Sequence, residues 1–91
     1  MLQFLRPEIA LANDSLALSV NEGEYIMISS KVPSTATVTW GSSNEDLVTV
    51  SSSGYVMAHG TESGTATVTA SITVNGVVYS DSCTVNVTGF E

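Results

Sequence analysis

Only two basic residues, Arg6 and Lys31, stand against nine acidic ones, and the net charge is −7. Gripping DNA, RNA or an anionic bilayer requires clustered Lys and Arg to neutralise phosphates, and this chain has no means of doing so. Its acidic balance suits solubility, repulsion between neighbouring copies or a basic partner. A single cysteine, Cys83, rules out an internal disulfide. That absence is compatible with a reducing site of synthesis. No apolar run approaches the roughly 18 residues of a membrane span, so no membrane insertion is expected. The opening MLQFLRPEIALAN is not a signal peptide by pattern, because Arg6, Pro7 and Glu8 interrupt its apolar core. The expectation is either a complete short product made without a secretion signal, or a domain excised from a larger protein with Met1 added.

What remains is rich in Ser (14), Thr (11) and Val (12), in a chain of 91 residues. Thr and Val suit a pleated surface, and long helix formers are scarce, so an all-β domain is expected. A chain of this size buries roughly 60–65% of its unfolded surface, enough for one core and too little for a deep cleft between two lobes.

Alternation of apolar with polar residues, the period of a half-buried strand, runs through most of the chain. Met1 to Leu5 and Ile9 to Ala12 are apolar segments divided by Arg6 and Pro7. Leu16, Leu18 and Val20 read as a strand ending at Asn21-Glu22-Gly23. Residues 24–32 read as the next, with Ile26, Ile28, Ser30 and Val32 facing the core and Pro33 ending it. Val38 and Trp40 alternate with threonines before a Gly41-Ser42-Ser43-Asn44 corner. Val48 and Val50, then Val56 and Ala58, flank a tight Ser51 to Gly54 turn in which Gly54 takes positive φ. His59 to Gly64 reads as a loop. Ala66, Val68 and Ala70 share one face, and Ile72 to Val74 and Val77 to Tyr79 flank Asn75-Gly76, a strong hairpin signal. Cys83, Val85 and Val87 form the last inward row, with Cys83 a small buried hydrophobe whose acidic neighbour Asp81 opposes thiolate formation. The organisation expected is an N-terminal apolar arm or extra strand over residues 1–7, then one domain over 8–91. That domain is an antiparallel β-sandwich of seven to eight strands without helix or disulfide. Its structural core is expected to include Leu18, Ile28, Trp40, Val50, Val68, Cys83 and Val85.

Six pieces of this pattern occur in order and at matching spacing: LALSV at 16–20, Gly23-Glu24, Val32-Pro33, VTWGSSN at 38–44, LVTVSSSGYV at 47–56 and GTATVTA at 64–70. Together they resemble the bacterial immunoglobulin-like group 2 family (Big_2) over roughly residues 9 to 88. The resemblance implies an immunoglobulin-like sandwich in which Trp40 fills the inter-sheet space, with Gly64, Ala66 and Ala70 leaving room for its ring. Domains of this kind are found in bacterial surface adhesins, as spacers in secreted glycan-degrading enzymes, and in tailed-phage capsid and tail proteins. The roles implied are spacing, adhesion or weak carbohydrate attachment, not catalysis. The family carries no shared binding residue to transfer here. The Met1 to Leu5 arm and the extended Asn75–Gly76 hairpin depart from the family pattern.

No constellation for catalysis is evident, and no enzyme activity, cofactor or metal is expected. The one histidine, His59, reads as a solvated loop residue without a nucleophile beside it. Asn13-Asp14, Glu22 with Glu24, and Asn44-Glu45-Asp46 are oxygen-rich corners lacking the spacing of a calcium loop, and they read as solvated strand ends. Asn13-Asp-Ser15 and Asn86-Val-Thr88 match a glycosylation triplet, as chance provides in so Ser/Thr-rich a chain. Outward Thr65, Thr67 and Thr69 beside Tyr55 or Tyr79 would offer a shallow surface for weak glycan binding. The arm residues Met1, Leu2, Phe4 and Leu5 are the partner-binding candidates. Too apolar for water, they either add to a partner subunit as a strand or pair within their own sandwich. The functional expectation is a non-enzymatic module located in the virion, decorating a tailed-phage capsid or tail for display, attachment or stabilisation through a protein partner. The alternative is an adhesion or spacer module of a secreted or cell-surface bacterial protein.

Overall fold

The computed structural model describes residues 6–59 and 62–89. Nine strands and no helix occur among them: β1 (Glu8–Leu11), β2 (Ser15–Ser19), β3 (Gly23–Tyr25), β4 (Ile28–Val32), β5 (Thr39–Ser42), β6 (Val48–Val50), β7 (Tyr55–Ala58), β8 (Gly64–Val74) and β9 (Val77–Thr88). The inward rows follow from residue type. Valine, isoleucine and small residues take every second position, with Ser and Thr between them facing out, so each strand has one dry side.

One layer is a four-stranded sheet in the order β2-β9-β8-β5. Within it β8 and β9 pair antiparallel over their whole length, from Gly64↔Val87 to Val74↔Val77. β2 joins the far edge of β9 in parallel, Ser15↔Thr84 through Ser19↔Thr88. The sandwich is therefore antiparallel except at this one pair. The opposite layer contains β3-β7-β6 and β1-β4.

The stretch read as one strand over residues 24–32 divides between two partners. β3 pairs with β7 and β4 pairs with β1. Ile26 N–H still donates to the Gly54 carbonyl at 2.9 Å, and the Met27 carbonyl still accepts from Ala12 N–H at 2.9 Å. The extended chain thus passes from one neighbour to the next at Ile26–Met27. The handover also breaks the inward row: Ile26 is buried, whereas Ile28, Ser30 and Val32 are only half-buried. The reverse happens in the last third, where segments read separately fuse. Ala66, Val68, Ala70 and Ile72 keep one phase through β8, as do Asp81, Cys83, Val85 and Val87 through β9. Intervening serines point outward and do not interrupt the ladder.

Between the layers lies one cluster of sixteen buried apolar residues, with no buried polar or charged residue among those described. Leu18, Val68, Cys83 and Val85 are buried in it, while Ile28, Trp40 and Val50 are partly buried and pack against it. Trp40 stays half-buried because β5 is an edge strand, bonded among the described strands to β8 alone. Its ring is accommodated differently from the sequence expectation. A Cβ on Gly54 would come within 2.8 Å of Trp40 Cζ2, and Gly64 instead lies beneath Leu47, whose Cδ2 would be 2.9 Å from such a Cβ. Ala70 does sit beside the tryptophan, as its register partner across β5 and β8.

Candidate interaction surfaces

Local hydrogen bonding explains the corners that carry acidic and hydroxyl side chains. Ser51 Oγ accepts from the N–H groups of Ser53 and Tyr55 at 3.2 and 3.1 Å, and Gly54 N–H donates to the Ser51 carbonyl. Gly54 closes this turn at φ +85°. Asn44 Oδ1 accepts from Asp46 N–H, Ser42 Oγ accepts from Asn44 N–H, and Ser43 Oγ accepts from Thr67 N–H on β8 at 2.8 Å. Glu22 Oε1 accepts from Ser19 N–H at 2.8 Å. These side chains substitute for missing backbone partners. Among the described residues no group of three or more His, Cys, Asp or Glu side chains is arranged to hold a metal ion.

His59 departs from the expectation of a solvated loop residue. It is half-buried, its Nε2 lies 2.8 Å from Thr49 Oγ1, and its N–H donates to the Leu47 carbonyl at 2.7 Å. Those bonds pin the chain leaving β7 against β6, which draws the ring out of water. The ring also lines an open hollow with Asn44, Leu47, Glu62, Ser63 and Thr65. Cys83 is fully buried, and its thiol pKa is pushed up by burial first and then by the negative charges of Asp14 and Asp81. A thiol held protonated in this way is a packing group, not a nucleophile.

The glycan surface drawn from the sequence is not brought together. Thr65, Thr67 and Thr69 lie on β8, whereas Tyr55 lies on β7 in the opposite layer. Tyr79 sits on the inward row of β9, partly buried against the core. Tyr55 instead pairs across strands with Tyr25, at 4.8 Å between ring centroids and 63° between planes. Half-exposed Tyr25 leads into an open groove of about 500 Å³ lined by Met27, Ala36, Val38, Trp40 and Ser52. Sequence reading missed this pair because its two tyrosines meet only through the β3–β7 register, which no local signal encodes.

The far end of the β8–β9 hairpin is sparsely covered. Asn75 (φ 52°) and Gly76 (φ 80°) form a two-residue turn with both residues left-handed, the type I′ geometry that matches strand twist. Beside it, Val77 is 50% and Val78 65% exposed. β5 pairs with β8 only as far as Ser71, and β2 pairs with β9 only from Thr84 onward. The hairpin therefore projects beyond both neighbours within its own sheet, and among the described strands of the opposite layer β1 packs beside it. Asp81 ties that layer down, since its Oδ2 accepts from Leu11 N–H at 2.8 Å. The candidate arm residues Met1, Leu2, Phe4 and Leu5 lie outside the described residues.

The all-β, two-layer topology is consistent with a sequence match to the bacterial Ig-like domain (group 2) family over residues 15–88. The chain belongs to this family. Big_2 domains are generally non-enzymatic interaction or structural modules and occur in extracellular and surface proteins. The matched span begins at β2, so β1 and everything before it lie outside the Big_2 match, although the sequence resemblance was drawn from Ile9. Among curated proteins, none matches the chain. No described helix is long and apolar enough to cross a membrane.

Proposed function

We propose that this domain is a non-enzymatic attachment module that binds a protein partner through its N-terminal pole, as a component displayed on a tailed-phage capsid or tail. The observation that carries this reading is the asymmetry of the sandwich. Its interior positions are filled by core residues, while apolar Val77 and Val78 stand exposed on a hairpin that outruns its sheet. The apolar residues Met1, Leu2, Phe4 and Leu5 precede the strand that packs beside that hairpin. Occurrence of Big_2 domains in tailed-phage proteins supports placement on the virion.

A second reading, a spacer or adhesion module of a bacterial surface protein, has its own observation. β1 starts near the hairpin turn and β9 ends at the opposite pole, the arrangement that suits chaining of domains end to end. Immunogold labelling of purified phage particles and of intact bacteria from the same source separates the two. Gold on the particles is the expected result. Gold confined to the cell surface would replace the virion reading with the spacer reading.

A further inference from the structure

Toward the hairpin turn β9 pairs with no described strand on β2's side, and the residues ahead of β1 are apolar. Two bonds set the level of the N-terminal chain along β9: Leu11 N–H reaches Asp81, and the Asp14 carbonyl accepts from Thr84 N–H at 3.0 Å. The chain from Glu8 to Asp14 therefore runs alongside β9 in the same direction, and equal rise per residue brings Pro7 level with Val77, next to the turn. β1's own partner also ends there, since Glu8 pairs with Val32, the last residue of β4. A strand carried on in β1's direction from Pro7 passes the turn and has no described strand of its own domain beside it.

β9 meanwhile offers an edge. Thr84 N–H faces β2's side, and alternation puts the backbone groups of Ser82, Ser80 and Val78 on that same side. Ser82 N–H is taken by its neighbour Asp81 at 2.9 Å, but Val78 and Ser80 lie beyond β2's reach. The edge carries no proline, lysine or bulge, and its one inward charge, Asp81, is taken up by the N–H groups of Leu11 and Ser82.

We propose that residues 1–5 of one copy add as an antiparallel strand to the β9 edge, Val78 to Ser82, of a second copy, and reciprocally about a twofold axis near the two hairpin turns. This names the partner of the N-terminal pole and rests on the attachment reading above. Direction fits, because a segment leading away from one domain's tip runs from the second domain's body toward its turn, against β9. Side chains fit too. In a strand Leu2 and Phe4 share one face and Met1 and Leu5 the other, while Val77 faces inward and Val78 outward at the tip. The outward face of the added strand thus meets Val78, and its inward face lies beside Tyr79 and Asp81, with Val77 just beyond at the turn. Copies carrying −7 each repel, so the pairing strengthens as salt screens them.

Sedimentation equilibrium of the full chain over a range of concentrations and salt tests this. The expected result is a monomer–dimer equilibrium that tightens with salt. Deleting residues 1–5 or substituting Val78→Lys or Ser80→Pro weakens it at least tenfold, with the far-UV circular dichroism unchanged. Ser80→Pro is informative because it removes an outward N–H that has no ladder partner among the described residues. A chain monomeric throughout, or a dimer indifferent to all three changes, overturns the proposal. A chain that stays monomeric yet still labels phage particles leaves the attachment reading standing and removes only the second copy as its partner.

Discussion

Gly54 holds two constraints in one residue. Its φ of +85° lies where L side chains are strained, and the Trp40 ring occupies the space a Cβ would need. Gly76 has the same backbone conformation, φ +80°, with nothing within 4 Å of such a Cβ. The pair separates strain from crowding. Gly76→Ala is expected to cost about 1 kcal/mol from the left-handed backbone alone, and Gly54→Ala about 2–3 kcal/mol, read from urea unfolding of each variant. Equal costs would mean that the tryptophan moves aside freely. Cys83 makes a prediction of a different kind. Its folded pKa is raised, so the unfolded thiol loses its proton first as pH rises. The stability tied to the protonated thiol is intact below the ordinary thiol pKa of about 8.5 and is lost from there toward the higher folded value. Thermal unfolding followed from pH 7 to 10 is expected to show a decline that Cys83→Ala lessens. The native protein is also expected to resist thiol reagents until it unfolds.

At the scale of the elements, the β8–β9 hairpin was legible because its signals are local and agree. Asn75-Gly76 specifies the turn, and strict alternation on both sides specifies the faces. The Ser51–Gly54 turn was legible for the same reason. The division of residues 24–32 between β3 and β4 was not, since alternation reports which side of a strand is dry and says nothing about which strand lies next to it. The parallel β2–β9 pairing is hidden likewise, because it joins residues about seventy positions apart. His59 misled because glycine-flanked polar sequence looks like free loop, whereas Thr49 and Leu47, brought near by the β6–β7 hairpin, bind it. Asp81 belongs at this scale as well. Its carboxylate joins β9 to β1 through Leu11 N–H, seventy residues away in sequence. Asp81→Ala is expected to cost about 1–2 kcal/mol and to speed amide exchange at Leu11 more than at Val68. Unchanged exchange at Leu11 would show that β1 is held by β4 and apolar packing alone.

For the molecule as a whole, the fold class and the family were readable, because both rest on the buried rows. Val48, Val56, Val68 and Val85 are wholly buried, and that row of valines accounts for both the fold and its sequence signature. By filling the space between the layers they also remove it as a place for chemistry. What distinguishes this chain lies ahead of the family match, in β1 and the apolar residues before it, and at the exposed hairpin tip within the match. Amide hydrogen exchange at Val78 and Ser80, measured on the full chain by NMR as its concentration is raised, tests that assignment most directly. Their N–H groups point out of the sheet, so at high dilution they are expected to exchange rapidly. Protection that grows with concentration, at these two amides and not at Thr65 on the far pole, is the predicted result. Exchange at the free rate at every concentration would contradict the account.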